Sequence, residues 1–399
     1  MLQQPATTDQ LAEFFARFQR LRETKPVLYD AASSSWHLFR YTEVLQVLKD
    51  TTRFASVETE AEVAPDATSV MVLDPLQRQR VRTLLVQAPT PRSVNRLAPR
   101  IVERAQALLD RVRLKGEMDV IRDLAAPLSL SVLAELLGIP AAHWTTLHLW
   151  ADALLAGLGK PCSEEPVSAH PQSPVTLAMH ELSAYICERL ERRAPCYEQQ
   201  GDLINTWLSA SSEGDPLGVP EVMAGVRMLL EVGYGPATHL LGNTLLSVVA
   251  HPQVIEHLCQ QPAPIYSTIE EVLRYLPPIW TELRTTTTEV TLGSQHLPAQ
   301  ARVCAWIVSA NQDATQFLYP EQFDILRIPN RHLSLRYGIQ AQLAGALARL
   351  VAATTIPLLL SQCADLKRVS GLPIEVVESS TIFGVKRLPI TFVPRSSSA

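Results

Sequence analysis

Two short stretches of the sequence carry residue types and spacings that could do chemistry. Glu271 and Arg274 stand three residues apart, so on a helix they would share one face and form an ion pair. The stretch GYGP, residues 233–236, interrupts a long helical pattern, because Pro236 lacks a backbone donor and disfavours helix at Gly235. The pair is either an exposed ion pair of small energetic value or a functional one. The break is either plain packing or the wall of a ligand pocket.

Several common catalytic and metal sites are excluded by spacing. The sequence has no GxxxxGK[ST] phosphate loop, no GxGxxG after a strand and no GxSxG nucleophile turn. Neither His143 with His148 nor His251 with His257 has the i, i+4 spacing of metal ligands, and no aspartate-rich DDxxD-like cluster could chelate magnesium. The residues therefore predict no metal site.

Helical periodicity dominates the elements that must position these residues. Helices are predicted over 93–114, 124–138 and 220–251, and the last is long enough to cross a whole domain. Another begins at Ser267, which forms a predicted capping box with Glu270.

A further helix is predicted to begin near Gly338, because apolar residues at 339, 343, 347 and 350 mark one helical face. Its N-terminus would suit an anion or a ligand, yet it carries only glutamine and alanine. The strand-like sequence is short: a hairpin within 283–308 with its turn at Gly293, and a second within 380–393. Residues 158–176 are polar and proline-rich and predict a loop. One mostly helical domain with a small β portion follows from these patterns.

Composition narrows the class of protein. Of the 399 residues 47% are hydrophobic, the net charge is −5 and the six cysteines are scattered without a CxxC pair. We expect no nucleic-acid partner and no membrane insertion, since the chain has no long basic run and no apolar run of spanning length. The first ten residues do not form a signal peptide. A cytoplasmic protein with reduced thiols is predicted.

In their order, these segments resemble a bacterial cytochrome P-450 from about residue 20 to the C-terminus. The similar stretches are 40–56, 73–85, 124–140, 310–324 and GVKRLPITF, together with Glu271-Val-Leu-Arg274 as that family's ExxR pair. The resemblance implies the cytochrome P-450 fold, a single large mainly α domain with a small β portion over 21–399, after an N-terminal segment of residues 1–20. It also implies that the ExxR pair is buried and structural. Family members bind haem through a cysteine thiolate.

The loop that should hold the haem departs from the family's pattern, FGxGxHxCxG. Here LRYGIQAQLAG aligns without a gap, so Leu335 replaces the aromatic residue and Arg336 the first glycine. Gln340 replaces the histidine that meets a haem propionate, and Gln342 replaces the cysteine. A carboxamide is a poor iron ligand beside thiolate or imidazole. The resemblance therefore predicts that the axial thiolate is lost.

Two further positions of the resembled machinery also differ. The family's acid–alcohol pair, which delivers protons to bound oxygen, falls on Gly235 and Pro236, and Thr238 is a weak substitute. The basic residue that completes the ExxR network aligns with Gln322.

Three arginines are expected around the former haem site. Arg82 and Arg284 match partners of the haem propionates, and Arg78 stands where the family has a histidine. Since uncompensated buried arginines are costly, they would favour an amphipathic anionic ligand or pair with nearby acidic residues.

Three functions stay open, and the first is favoured. The first is a haem-free auxiliary or activating partner of a biosynthetic enzyme of specialised metabolism, such as a glycosyltransferase, because some antibiotic gene clusters encode similar proteins without the cysteine. The second is a haem-independent cyclase or lyase acting on an anionic isoprenoid or polyketide intermediate in the vacated pocket. The third is a haem-binding oxidoreductase with Tyr337 or His332 as iron ligand. Haem is predicted to be absent, and the pocket candidates are Gly235, Pro236 and Thr238.

Overall fold

The computed structural model describes most of the chain as helices packed beside small sheets. It describes residues 5–56, 94–158, 173–191, 203–209, 211–212, 215–216, 218–369, 371, 373–379 and 381–395. The helices are α1 (Leu11–Thr24), α2 (Tyr41–Lys49), α3 (Ala98–Arg113), α4 (Ala126–Leu137), α5 (Trp144–Leu158), α6 (Pro174–Glu191), α7 (Leu203–Ser209), α8 (Val219–Leu229), α9 (Gly235–Ala250), α10 (Pro252–Gln260), α11 (Ile265–Tyr275), α12 (Ile307–Ala310) and α13 (Gly338–Gln362).

The described strands form a five-stranded sheet, a three-stranded sheet and two two-stranded sheets. The strands are β1 (Val27–Asp30), β2 (Ser35–Leu38), β3 (Phe54–Ser56), β4 (Glu117–Asp119), β5 (Ser211–Ser212), β6 (Asp215–Pro216), β7 (Thr281–Thr286), β8 (Val290–Leu292), β9 (Gln295–Leu297), β10 (Arg302–Trp306), β11 (Cys363–Arg368) and β12 (Pro389–Pro394). The larger sheet has the order β1-β2-β10-β7-β3, in which only β10 and β2 run parallel. The three-stranded sheet, β11-β12-β4, is antiparallel.

Helix α9 is the centre of the helical core. It packs on α13 and α11, and α13 packs in turn on α3. Apolar residues of these helices form one continuous core, while α4, α5, α6 and α8 form a second. A mainly α fold with a small β portion in a single domain is therefore confirmed.

The long predicted helix 220–251 is present as three consecutive helical segments. Between α8 and α9 the residues Leu230–Tyr234 form a π-helical turn. Pro236, the second residue of α9, has no backbone N–H, so the regular hydrogen-bond ladder cannot pass through it. The wider turn absorbs the missing bond, and the chain stays helical through the predicted break.

Some local predictions were wrong. Helix α11 begins at Ile265, and Ser267 donates its hydroxyl to the carbonyl of Pro264 instead of capping the helix. In the described part of 380–393, one strand, β12, forms beside isolated bridges at Ile382 and Val385, and it pairs with β11 and β4 instead of forming the predicted hairpin. The predicted loop 158–176 lies largely outside the described residues. The hairpin turn at Gly293 is confirmed between β8 and β9, with φ of 57°.

The predicted start of the domain lies within a helix. The predicted boundary at residue 20 falls inside α1, which packs its aromatic side chains into the rest of the fold.

Within α13, Gly345–Gln362 is the one described helical stretch long and apolar enough to cross a membrane. More than half of this stretch is buried in the fold, as in the core helix of a globular domain.

Candidate functional site

The predicted ExxR pair lies at the centre of a buried polar network. Glu271 and Arg274 are both fully buried, and the Arg274 guanidinium donates to both carboxylate oxygens of Glu271 at 2.7 and 2.9 Å. Its remaining donors reach the backbone carbonyls of Asn311, Pro320 and Gln322 at 2.7–3.1 Å. The interpretation of this pair as an exposed surface feature is therefore excluded.

A third charged residue completes this network. Arg327 lies 3.3 Å from Glu271 and donates to the carbonyls of Leu318 and Gln322. The alignment of Gln322 with the family's third basic residue stays a prediction, while Arg327, five positions later, supplies a third basic residue to this network. Gln322 contributes only its backbone carbonyl.

Asn311 ties the loop before α13 to this network, and sequence reasoning missed it. Its side-chain amide donates to the carbonyl of Leu273 and to the hydroxyl of Ser334, and its amide oxygen accepts from the backbone of Leu333. An asparagine that satisfies three groups at full burial fixes the loop's position. In the sequence, the stretch 310–324 stands out only by its resemblance to the cytochrome P-450 family.

His332, one candidate iron ligand, is held in a cluster around Glu270. Its Nε2 atom lies 2.9 Å from the carboxylate of Glu270, which also accepts from Arg336 and Arg349. Burial opposes ionisation of Glu270, but the hydrogen bonds from His332 and Arg349 outweigh it and hold its pKa well below the usual range. For His332, in contrast, burial lowers the pKa, so its imidazole is neutral. Its Nε2–H then donates to the ionised carboxylate of Glu270. The Nε2 atom of His332 is therefore already engaged in a hydrogen bond with Glu270.

The charge of Arg284 is met within the chain. Its guanidinium donates at 2.9 Å to Glu282, two residues earlier on β7. Burial raises the pKa of Glu282, although the neighbouring Arg284 opposes the shift. The structure therefore shows Arg284 with an acidic partner, one of the two alternatives that the sequence left open for it, and its need for an anionic ligand is reduced. Arg78 and Arg82 lie outside the described residues.

A small apolar cavity lies beside this pair. Its volume is about 10 Å³, room for one water molecule at most. The residues that line it are Leu48, Ile279, Glu282, Ile307, Leu333, Leu335 and Tyr337. Tyr337, the other candidate iron ligand, is also the N-cap residue of α13.

The residues predicted to replace the haem ligands stand at the beginning of α13. Gln340 and Gln342 belong to this helix, but their side chains lie outside the described part of the structure. Their alignment with the family's histidine and cysteine stays a prediction.

The pocket candidates on α9 lie in an apolar environment. Gly235 faces α5 so closely that a methyl group there would stand 3.0 Å from Leu155. The hydroxyl of Thr238 is buried and has no hydrogen-bond partner among the described residues. The next residue, His239, is buried as well, and its Nδ1 atom has no described partner either. Sequence reasoning missed His239, although it directly follows a candidate.

Comparisons with known proteins agree with this geometry. The family model described as "Cytochrome P450" matches residues 265–333, the part that holds the buried network. The cyclomarin C epoxidase CymV of Salinispora arenicola is 32% identical over 93% of this chain and 94% of its own length. The vitamin D(3) 25-hydroxylase of Pseudonocardia autotrophica is 31% identical over 91% and 89%. The ligand-free structure of cytochrome P450 TbtJ1 superposes with a TM-score of 0.86 at 31% identity, over 98% of this chain and all of that one.

The overall fold is that of solved cytochrome P450 structures. Similarity at this level over nearly the whole of both chains shows the family, and the chain belongs to the cytochrome P450 family.

The favoured prediction of a haem-free auxiliary protein is wrong. The relatives are named as an epoxidase and a hydroxylase, and P450 family members normally bind haem. The prediction of a vacated haem pocket with another chemistry is overturned by the same finding. That prediction rested on four apparent losses, and for one of them, at Gln322, Arg327 supplies a basic residue to the network. The proposed glycosyltransferase partner stays untested.

Among the described residues, no cysteine at the start of α13 offers a thiolate to haem. The four described cysteines are Cys187 in α6, Cys259 in α10, Cys304 in β10 and Cys363, which follows the last residue of α13. Cys363 stands at the far end of a 25-residue helix, about 37 Å from its beginning. Arg284, a predicted propionate partner, is already paired with Glu282. No chemical step can therefore be assigned to a bound haem from these residues.

Proposed function

We propose that the protein binds an apolar small molecule of specialised metabolism, and that its reaction belongs to the class its relatives carry out, oxidation of that molecule. The observation that carries this proposal is the similarity to a cyclomarin epoxidase and a vitamin D(3) hydroxylase over nearly the whole chain. The family relation also favours a cytoplasmic location, as proposed for a bacterial-type P450.

The polar atoms of α9 support a site for such a molecule. Buried polar groups in proteins nearly always have a hydrogen-bond partner, so each exception needs an explanation. Thr238 Oγ1 and His239 Nδ1 are two such exceptions on neighbouring positions of one apolar helix. A hydroxyl or carbonyl group of a mostly apolar ligand would satisfy Thr238. Ligand pockets typically combine an apolar lining with a few placed polar groups of this kind.

The binding proposal is tested with Thr238→Val, which removes the hydroxyl and keeps the shape. Macrocyclic and steroid-like compounds are screened for a rise in melting temperature, each against an analogue without its polar group. We expect Thr238→Val to weaken binding about tenfold for the polar member only, the effect of one lost hydrogen bond. Thr244→Val is the matched control, since the Thr244 hydroxyl already donates to the carbonyl of Leu240. Equal losses for both members of a pair would contradict a role for Thr238.

The reaction class needs a separate test. Purified protein is supplied with haem, and its visible absorption is recorded with and without carbon monoxide. Products are then analysed by mass spectrometry in the presence of a reductant and oxygen. Oxygen incorporation into a bound compound supports the proposal. Tight binding of the compound without any oxidised product, in haem-loaded protein, would overturn the proposed reaction and leave the binding function.

A further inference from the structure

A large groove lies between α10 and β11, away from the buried network. Its volume is about 650 Å³, well within the range of small-molecule sites. The end of α9 and helix α10 form one wall, and β11 with Leu388 and Arg395 forms the other. It shares no lining residue with the small cavity beside Arg284. This α10–β11 groove has no part in the proposed function.

The floor of the groove is apolar and its rim is basic. The apolar side chains are Leu246, Val249, Ile255, Leu366 and Leu388. Three basic residues, Lys367, Arg368 and Arg395, outnumber the two acidic ones, Glu256 and Asp365. Within the described part of the chain, neither Lys367 nor Arg368 forms an ion pair.

The two ends of the groove differ in chemistry. In the pairing of β11 with β12, Cys363 lies opposite Pro394 and Arg368 opposite Ile390. Arg395 is therefore at one end of β11, and Lys367 with Arg368 at the other, about 20 Å away at 3.3 Å per residue. The exposed thiol of Cys259 lies 3.7 Å from the guanidinium of Arg395 and marks that end.

An extended peptide is a poor occupant, although β11 is an edge strand. A register shift between Ala364 and Lys367 interrupts its pairing, and Asp365 has a φ of 51°. Such a bulge disturbs the row of backbone groups that an added strand would need. The unpaired cations and the apolar floor instead fit a molecule with an anionic head and a hydrocarbon body.

We infer that the α10–β11 groove binds a fatty-acid-type carboxylate, with its head at Lys367 and Arg368 and its chain along Leu366 and Ile255 towards Cys259. The cations supply charge-assisted hydrogen bonds to the carboxylate. Burial of the chain against the floor supplies the hydrophobic part of the affinity.

The experiment measures how fast maleimide labels Cys259, with the labelled peptide identified by mass spectrometry. Dodecanoate below its micelle concentration should slow this labelling about tenfold at ten times its dissociation constant, by simple occupancy. Dodecanol should protect much less, and the partly exposed Cys187 is the internal control. Because the reporter lies in the groove, binding at Thr238 would raise the melting temperature without protecting Cys259. Failure of the two proposals is therefore distinguishable.

Charge reversal tests the head-group site. The Lys367→Glu/Arg368→Glu variant should lose protection by dodecanoate, and the exposed pair Arg20→Glu/Lys25→Glu on and after α1 should keep it. Unchanged labelling, equal protection by dodecanol, or protection that survives the reversal would overturn the inference. So would protection by vesicles of anionic phospholipid alone, which would indicate a membrane surface, or protection that rises with protein concentration, which would indicate a second copy of the chain.

Discussion

The buried charges around Glu271 show what single residues contribute to this fold. Its carboxylate accepts from Arg274, Arg327, Asn330 and the backbone of Asp324. Four residues, from helix α11 and from the loop 324–330, converge on one side chain without exposure to solvent. Removal of the acid would leave two arginines and several donors buried and unpaired.

Glu271→Ala should therefore lower the free energy of unfolding by about 3–5 kcal/mol, the usual cost of a buried charge without its partner. Glu103→Ala is the matched control, because Glu103 forms an i, i+3 pair with Arg100 in which both side chains are more than half exposed. That change should cost less than about 0.5 kcal/mol. Urea unfolding measures both, and similar midpoints for the two variants would contradict the network.

The sequence could predict the Glu271–Arg274 pair but not its surroundings. A spacing of three fixes which helical residues meet, because it is local geometry. Arg327 is 56 positions away from Glu271, and its contact depends on the path of the intervening loop. Alignment by spacing therefore placed the third residue at Gln322. The Glu282 partner of Arg284 was nearer in sequence, and alternation along a strand would have placed both side chains on one face.

At the scale of elements, helix α9 has two unusual features: an interrupted hydrogen-bond ladder and several buried polar side chains. The proline that interrupts its ladder was visible in the sequence, and the structure adds the π-helical turn before it. Asn243 on the same helix donates to the carbonyls of Leu276 and Phe383, so α9 holds two neighbouring loops. His239 lies against the second of these loops at Gly384.

The burial of His239 predicts a pH dependence of stability. Burial lowers its pKa to about 4, against about 6.5 in an unfolded chain. The unfolded chain therefore binds the proton more readily, so the stabilisation is complete above pH 6.5 and is lost as the pH falls towards 4. The loss is on the order of 3 kcal/mol. Unfolding in urea from pH 7 to 4 measures it, and His239→Leu should remove this part of the profile.

The exposed His296 provides the control for that experiment, since His296→Leu should leave the profile unchanged. Glu270 contributes mainly at lower pH, because its pKa is held well below its usual range. Burial also lowers the pKa of His37 and of His332, which titrate in the same window in every variant, so the difference between the profiles measures His239. A profile of His239→Leu identical to that of the unmodified protein would contradict the buried neutral histidine.

Contact between α9 and the loop at Gly384 can be tested by a double-mutant cycle. A methyl group at Gly384 would overlap Nδ1 of His239, so one of the two must move. Gly384→Ala should cost about 2–3 kcal/mol through overpacking. The cost should fall sharply in a His239→Ala background, where the ring is absent.

Gly233→Ala is the control glycine, because the nearest atom to its added methyl group would be Leu133 Cδ1 at an ordinary 3.5 Å. Its effect should stay within about 1 kcal/mol in either background. Strict additivity of Gly384→Ala and His239→Ala would show that these residues do not touch.

At the scale of the whole molecule, fold and function were predicted with different success for a physical reason. The fold depends on packing spread over many helices, so many segments of the sequence indicate it. Substitutions in one loop leave the pattern of the other segments unchanged. Function depends on a few residues. The substitutions at Gln342 and its neighbours therefore predicted an auxiliary protein, and the similarity of nearly the whole chain to an epoxidase and a hydroxylase contradicts that prediction. Evidence distributed along the chain was the better guide.

Helix α1 and a segment near the last described strand meet in one aromatic cluster. Phe14 of α1 stacks on Trp280 with ring centroids 5.0 Å apart, and Phe18 lies 5.0 Å from Trp306. Trp280 stacks in turn on Phe383 at 4.3 Å, just before the last strand. The N-terminal helix therefore belongs to the same packed unit as the C-terminal segment.

Phe18→Ala should accordingly destabilise the whole domain rather than release only its N-terminus. Phe18 is fully buried, and loss of such a side chain costs about 3–5 kcal/mol. Urea unfolding is followed by tryptophan fluorescence and by far-ultraviolet circular dichroism, and both midpoints should shift together because the domain unfolds as one cooperative unit. Phe15→Ala, on the same helix but only partly buried, should shift them by less than half as much. A shift in fluorescence without one in circular dichroism would instead show that residues 1–20 fold as a segment separate from the domain over 21–399.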